Sequence, residues 1–189
     1  MNDYLAATDV INWQQPDVLR LARRLADVAS DPTELARRCF EWVRDEIQHS
    51  MDFCRVEVTC RASDVLAART GFCYAKSHLL AALLRANKIP AALCYQRLSI
   101  DGKGEPFCLH GLNAVHLPKF GWYRIDPRGN KPGVDAQFTP PIERLAFPIE
   151  LPDEADLPGY FANPNSAVLE ALRRYETVAD VAAHLPDVA

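Results

Sequence analysis

The first fifty residues repeat apolar and polar positions with the period of a helix. In residues 15–30 and again in residues 31–50, Leu, Ala, Val, Phe and Trp recur at steps of three and four positions, which places them on one helical face. The second segment opens with Asp31 as a capping residue, Pro32 at the first helical position and Glu34 three residues after the cap. The pattern predicts two amphipathic helices.

A third, shorter helix is predicted from Ser63 and stops at Gly71, where a residue without a side chain allows a sharp turn. A longer helix follows from Tyr74, with apolar residues on one face, and ends near residues 85–90. Cys73 therefore stands at the entrance of this helix. It is either a small buried hydrophobic residue or a nucleophile whose thiolate is stabilised by the unpaired N–H groups of the helix terminus.

The period then changes to that of extended strands. Residues 91–100, 107–117 and 122–127 each predict a strand, and short turns rich in Gly and Pro separate them. Consecutive strands joined by short turns indicate an antiparallel meander. Helices followed by strands make this an α+β fold rather than an alternating α/β fold.

The pattern weakens beyond Gly129. Residues 131–165 carry many of the fourteen prolines and include one candidate strand at 142–149. Because their aromatic residues need burial, they are interpreted as an ordered surface wrap rather than a linker. A last helix is predicted over residues 165–185.

Composition narrows the class of protein. The 189 residues are 49% hydrophobic with a net charge of −4, typical of a globular domain with its own core. The acidic balance disfavours nucleic acid as a partner, since the basic pairs fall within amphipathic helical patterns. Without a membrane-length apolar run or a signal-like start, we expect a cytoplasmic protein that does not bind membranes. A single domain over residues 1–189 is expected; the oligomeric state stays open.

The cysteine and histidine spacings do not indicate a metal site. The six cysteines contain no C-x-x-C, and no histidine pair lies at zinc-finger spacing. In a reducing compartment disulfides are not expected, and we expect neither a metal nor a cofactor. Cys39, Cys94 and Cys108 lie in apolar patterns and are expected to be inert.

A nucleophilic Cys73 would need a base and a group that orients the base. His110 lies on the second predicted strand and Asp126 at the end of the third. If these strands are neighbours, both side chains can lie on the face that receives the Cys73 helix. Taken alone, His110 is equally well a core histidine, and Asp126 before a proline a turn residue.

The residues around these positions resemble a known family. The stretches "GFCYAKSHLLAALLRANKIPAAL" and "HGLNAVHLPKFGWYRIDP" are similar to the core of the transglutaminase-like superfamily over about residues 63–129. In that superfamily a Gly-x-Cys opens a helix ending in Leu-Leu-Arg-x-x-Gly-Ile-Pro-Ala, followed by a His-headed strand and a Trp-x-x-x-Asp-Pro strand. Two positions differ from the superfamily pattern. Leu112 stands where an aromatic residue is frequent, and Lys88 stands where the pattern has the glycine before Ile-Pro-Ala. We expect Asn87 to supply the left-handed helix cap instead.

The resemblance implies a papain-like core, a helix packed on an antiparallel sheet, with residues 130–189 as a C-terminal wrap and helix. It also implies roles for three residues: Cys73 as nucleophile, His110 as general base and acid, and Asp126 as the orienting group. Such a site forms a thioacyl-enzyme and passes the acyl group to water or an amine. We expect a peptidase or amidase acting on a protein or peptide substrate. Transamidation of glutamine to amines and a non-catalytic interaction module are the alternatives.

The oxyanion hole is incompletely assigned from the sequence. The backbone N–H of Cys73 is the natural first donor. The second donor stays open among four side chains, Trp13, Gln14, Gln15 and Gln96. Two further histidines also need interpretation. His116 shares a strand face with His110 and could line the cleft or the core, whereas His78 is expected on another side of its helix, either packed or facing solvent.

Overall fold

Helices precede an antiparallel sheet in the computed structural model, which describes residues 1–187. A short 3-10 helix comes first, at Asn2–Leu5. The α-helices are α1 (Pro16–Ala26), α2 (Pro32–Glu46), α3 (Ala62–Ala68), α4 (Cys73–Ala86), α5 (Ser166–Arg174) and α6 (Val178–Ala183). The strands are β1 (Gln48–His49), β2 (Thr70–Gly71), β3 (Ala91–Ser99), β4 (Phe107–Leu117), β5 (Gly121–Ile125) and β6 (Ala155–Asp156). The predicted α+β class is confirmed.

The main sheet has the strand order β5-β4-β3-β6, and all of its neighbours run antiparallel. The three predicted strands are β3, β4 and β5, so the predicted meander is confirmed. A separate pair, β1 and β2, runs parallel and places His49 opposite Gly71. Only Phe72 separates β2 from the start of α4, so this small pair lies next to the first turn of that helix.

Helix α4 occupies the centre of the molecule. Every residue from Cys73 to Arg85 is buried, because α1, α2 and α3 pack on α4 and the sheet strands β3 and β4 also contact it. A helix enclosed in this way is apolar around most of its circumference. Lys76 is one of its buried polar residues, and its ammonium group donates hydrogen bonds to the carbonyls of Arg44 and Ile47. Burial lowers the pKa of Lys76 to about 7.

The predicted end of α3 at Gly71 is wrong. The helix ends at Ala68, and Arg69 adopts the left-handed conformation with φ 56°. Gly71 is extended and belongs to β2, where an added Cβ would lie 3.0 Å from Ala75 Cβ and 3.2 Å from Thr59 Oγ1. The glycine is thus required by the close approach of α4 rather than by a turn.

The cap of α4 also differs from expectation. Asn87 has φ −94° and is not left-handed, whereas Lys88 takes that conformation with φ 61°. The Asn87 side chain instead donates to the carbonyls of Ala22 and Leu83 at 3.1 and 3.0 Å. The lysine therefore occupies the conformation that glycine favours, at the position where the superfamily pattern has glycine.

Two predictions for the C-terminal third are wrong. Residues 142–149 form no strand and contribute only an isolated bridge between Gln137 and Arg144. The single helix predicted over residues 165–185 is divided into α5 and α6, because Thr177 begins a new helix by accepting a hydrogen bond from Asp180 N at 3.2 Å. Apart from β6, the segment between β5 and α5 crosses the surface with little regular structure, and Phe147 within it reaches the site described below.

Candidate active site

Cys73 is the first residue of α4, and its side chain lies at the positive end of the helix dipole. Phe72 is extended and its carbonyl accepts the Lys76 N–H at 2.9 Å. The first three N–H groups of a helix have no acceptor within it. Cys73 is 8% exposed, so its thiol is accessible only through the cavity that it lines.

The start of α4 rests on β4 at Gly111, the residue after His110. The Gly111 N–H donates to Cys73 Sγ at 3.5 Å. A Cβ at Gly111 would lie 2.8 Å from Tyr74 Cδ1, closer than real contacts allow, and 3.1 Å from Tyr74 Cα. The Tyr74 hydroxyl in turn donates to the Leu109 carbonyl. Glycine at 111 therefore brings the thiol next to the strand that carries His110.

His110 and Asp126 form a buried pair. His110 Nε2 lies 2.7 Å from Asp126 Oδ2, and Asp126 follows Ile125, the last residue of β5 that pairs with β4. The carboxylate also accepts the N–H groups of Arg128 and Ala146, each at 3.1 Å. These backbone donors fix the carboxylate and leave it as the charged partner of the imidazole.

The charges at this pair favour a cationic imidazole. Burial by itself would lower the pKa of His110, but the charges of Asp126 and Cys73 prevail and raise that pKa to about 10. Burial would raise the pKa of Asp126, yet the His110 charge and the backbone donors hold it below its usual value. His110 is therefore protonated at neutral pH, between a carboxylate and the thiol.

A cavity of about 450 Å³ opens onto Cys73 and His110. Apolar side chains, including Leu98, Ile100 and Phe147, form part of its lining. The Phe147 ring meets the His110 ring edge-on, with centroids 5.1 Å apart. The surface wrap predicted from the sequence thus contributes a wall of the site, a role that its irregular pattern does not indicate.

A second group of lining residues is polar and was not predicted. It consists of His49, Asp52, Arg128 and Lys131. Arg128 donates to both carboxylate oxygens of Asp52, at 2.5 and 3.1 Å, and Lys131 donates to one of them at 2.6 Å. His49 belongs to β1, and nothing in its sequence neighbourhood distinguishes it from the other histidines. Only the pairing of β1 with β2 brings it to the cavity.

The four side chains left open as oxyanion donors lie elsewhere. Trp13 Nε1 donates to the Leu5 carbonyl at 3.2 Å, and Gln96 Nε2 donates to Asp156 Oδ1 at 3.0 Å. Gln14 and Gln15 precede α1. Within residues 1–187, none of these four side chains lines the cavity of Cys73.

The remaining histidines and cysteines are outside the reacting group. His116 packs on Trp122 with ring centroids 5.4 Å apart and does not line the cavity. His78 is buried with Nδ1 2.8 Å from the Cys60 carbonyl, as expected of a packing residue. Cys108 does line the cavity, but burial raises its pKa to about 12, which keeps the thiol protonated.

Residues 1–187 contain no group of three or more potential metal ligands and no helix long and apolar enough to cross a membrane. All six cysteines lie in this part of the chain as free thiols.

A family model places the chain among known proteins. The model of the transglutaminase-like superfamily matches residues 19–127, more than half of the sequence. The chain belongs to the transglutaminase-like superfamily. The predicted motif core lies within the matched region, apart from its last two residues, and the sequence matches no curated protein.

Two solved structures are similar to part of the chain, and the first of them supports the superfamily's fold. A candidate cysteine protease from Cytophaga hutchinsonii is 18% identical, with a TM-score of 0.52 over 66% of this chain and 40% of that one. The periplasmic domain of TgpA from Pseudomonas aeruginosa is 23% identical, with a TM-score of 0.48 over 66% of this chain and 45% of that one. This chain therefore spans less than half the length of either structure.

Proposed function

We propose that the protein is a cysteine hydrolase, a peptidase or amidase that acts through a thioacyl-enzyme. The observation that carries this proposal is the position of His110, which lies 2.7 Å from the Asp126 carboxylate and lines the same cavity as Cys73. Membership of the transglutaminase-like superfamily supports the same reading. In this proposal Cys73 is the nucleophile, His110 the acid and base, and Asp126 the orienting group.

The geometry suggests the order of proton transfers. Asp126 engages His110 Nε2, which leaves Nδ1 as the nitrogen that exchanges a proton with Cys73. The thiolate sulfur attacks the substrate carbonyl, and the imidazolium gives its proton to the departing amine. Neutral His110 then takes a proton from water as that water attacks the thioester. Collapse of the second intermediate releases the acid and restores the thiolate and the imidazolium.

The polar part of the cavity favours water over an amine as acyl acceptor. The charged side chains of Asp52, Arg128 and Lys131 attract water to the lining, and transamidation depends on excluding water from the thioester. Transamidation is therefore the second candidate. A non-catalytic module is disfavoured because burying the His110–Asp126 pair carries a desolvation cost that a binding surface does not require.

We further propose a protein or peptide substrate, a single domain over residues 1–189 and a cytoplasmic location. The free cysteines of residues 1–187 suit a reducing compartment.

Turnover of an amide library tests the proposal. Wild type is expected to release amine from some members, and both Cys73→Ala and His110→Ala are expected to abolish this release. Cys54→Ala is the matched control, because Cys54 is an exposed thiol outside the cavity lining. Incorporation of a fluorescent amine into a glutamine-containing protein without hydrolysis would replace the hydrolase with the transamidase. If wild type forms neither product, the hydrolase and the transamidase are both contradicted.

A further inference from the structure

His49 is the second imidazole on the cavity of Cys73. It lies opposite Gly71 in the β1–β2 pair, and its ring meets the Phe72 ring edge-on with centroids 6.0 Å apart. His49 is 6% exposed and lines the same cavity as Cys73 and His110. The residue therefore faces the space in which a substrate carbonyl would meet the thiol.

One nitrogen of the His49 imidazole has no hydrogen-bond partner among residues 1–187. This nitrogen is Nδ1, which is buried. Its distance to Asp52 Oδ2 is 3.7 Å, too long for a hydrogen bond. The Asp52 carboxylate is instead occupied by Arg128 and Lys131. Among residues 1–187 the ring is therefore positioned by packing against Phe72 rather than by a hydrogen bond at Nδ1.

The surroundings keep the His49 ring neutral. Burial, followed by the Arg128 charge, lowers the pKa of His49 to about 3, so the ring is neutral and has a single N–H. The Arg128 charge acts on the ring more strongly than the opposing Asp52 charge, and Lys76 and His110 act in the same direction as Arg128. Nδ1 is enclosed, so Nε2 is the ring nitrogen that can present an N–H to the cavity. The role proposed below requires the tautomer with its proton on Nε2.

We propose that the Nε2–H of His49 is the second donor of the oxyanion hole, together with the backbone N–H of Cys73. This inference rests on the proposed function, since an oxyanion forms only if Cys73 attacks a carbonyl. As the Cys73 sulfur bonds to the carbonyl carbon, the π electron pair moves to oxygen, and the two N–H groups stabilise that charge. When the intermediate collapses, the pair reforms the C=O bond and the C–N bond breaks, while His110 protonates the leaving amine.

Two reactions of the same thiol separate this role from a structural one. Alkylation of Cys73 by iodoacetamide displaces iodide at a saturated carbon and forms no oxyanion. Acylation by p-nitrophenyl acetate passes through a tetrahedral oxyanion and releases p-nitrophenolate. His49→Phe keeps a ring against Phe72 but removes the donor, whereas His49→Gln keeps a side-chain N–H. His116→Phe is the matched control, because His116 lies outside the cavity.

In His49→Phe, single-turnover acylation is expected to fall about 100- to 1000-fold, the usual loss for one oxyanion donor, while alkylation stays near the wild-type rate. His49→Gln is expected to recover part of the acylation, and His116→Phe to leave both rates unchanged. Unchanged acylation in His49→Phe, or an equal loss in both reactions, would overturn the role. Slow alkylation of wild-type Cys73 without acylation would instead remove the proposed function, and this role with it.

Discussion

Two buried histidines face one cavity, and their pKa values shift in opposite directions. The pKa of His110 is raised to about 10 and that of His49 is lowered to about 3, although both residues are almost fully buried. The difference lies in their carboxylate partners. Asp126 lies 2.7 Å from His110 and is otherwise bound by backbone N–H groups, whereas Asp52 lies 3.7 Å from His49 and is neutralised by two cations.

This comparison shows that burial does not by itself determine what a histidine can do. Burial disfavours the charged form of both rings, and the neighbouring charge then decides the outcome. Among residues 1–187 the Asp126 carboxylate has no cationic ion-pair partner other than His110, and its charge makes His110 a cation suited to proton transfer. A compensated carboxylate leaves His49 neutral, so that it can only donate or accept a hydrogen bond.

The largest expected effect comes from removing the charge on Asp126. Asp126→Asn keeps the shape of the side chain but removes the anion that opposes the desolvation of His110, so the pKa of His110 should fall. We expect the rate of Cys73 acylation by p-nitrophenyl acetate to fall about 10³- to 10⁴-fold. A loss below tenfold would show that the difference between the two histidines does not matter for the reaction.

The next largest effect is expected at the contact between α4 and β4 that brings the Cys73 thiol close to His110. In Gly111→Ala the new Cβ would lie 2.8 Å from Tyr74 Cδ1, so α4 must move away from β4. We expect a loss of about 1–3 kcal/mol in the free energy of unfolding and a loss of acylation of at least about 100-fold, since small displacements at a reacting centre have effects of this size. Urea denaturation and acylation kinetics measure the two losses. Wild-type acylation in a folded Gly111→Ala protein would contradict the proposed docking.

The pH dependence of stability should separate the two histidines by sign. His110 binds its proton in the folded state up to about pH 10, so its contribution is complete below pH 6.5 and is lost as pH rises through 10. His49 stays neutral when folded, so the unfolded chain gains a proton first and stability falls as pH decreases from 6.5 towards 3. Between pH 7 and 5, wild type should lose on the order of 1 kcal/mol more than His49→Phe. Equal losses in urea titrations would contradict a neutral His49.

The smallest effect concerns the cation beside His49. Arg128→Gln removes the charge that acts most strongly on that ring after burial, so the pKa of His49 should rise while the pKa of His110 stays high. Histidine ring signals in an NMR titration report both values, and Lys131→Gln is a matched control because Lys131 binds the same carboxylate. A pKa of His49 that does not move in Arg128→Gln would mean that burial alone sets it.

The sequence predicts local structure well where one period dominates. The strands β3, β4 and β5 begin and end close to their predicted bounds, because turns rich in Gly and Pro delimit each of them. The break between α5 and α6 is missed because the apolar period continues through Thr177, while the cap at this residue starts a new helix. The left-handed Lys88 is missed because a lysine gives no local signal for that conformation.

The residues of the candidate site also fall into those that local sequence patterns predict and those that they do not. Cys73, His110 and Asp126 lie on regular elements whose order along the chain resembles a known pattern, and the structure brings the three together. His49 and Arg128 reach the cavity through a two-residue strand pair and an ion pair between distant segments. Such contacts depend on tertiary packing, and the spacing of residues along the chain carries no information about them.

The most direct test of a paired nucleophile is the rate of Cys73 alkylation by iodoacetamide at neutral pH. Peptide mass spectrometry would follow the modification in wild type, in His110→Ala and in the control His116→Ala. The account predicts rapid alkylation in wild type and in His116→Ala, and alkylation at least about tenfold slower in His110→Ala, because the cation that stabilises the thiolate is gone. Slow alkylation that is equal in all three proteins would contradict it and would leave Cys73 as a packing residue.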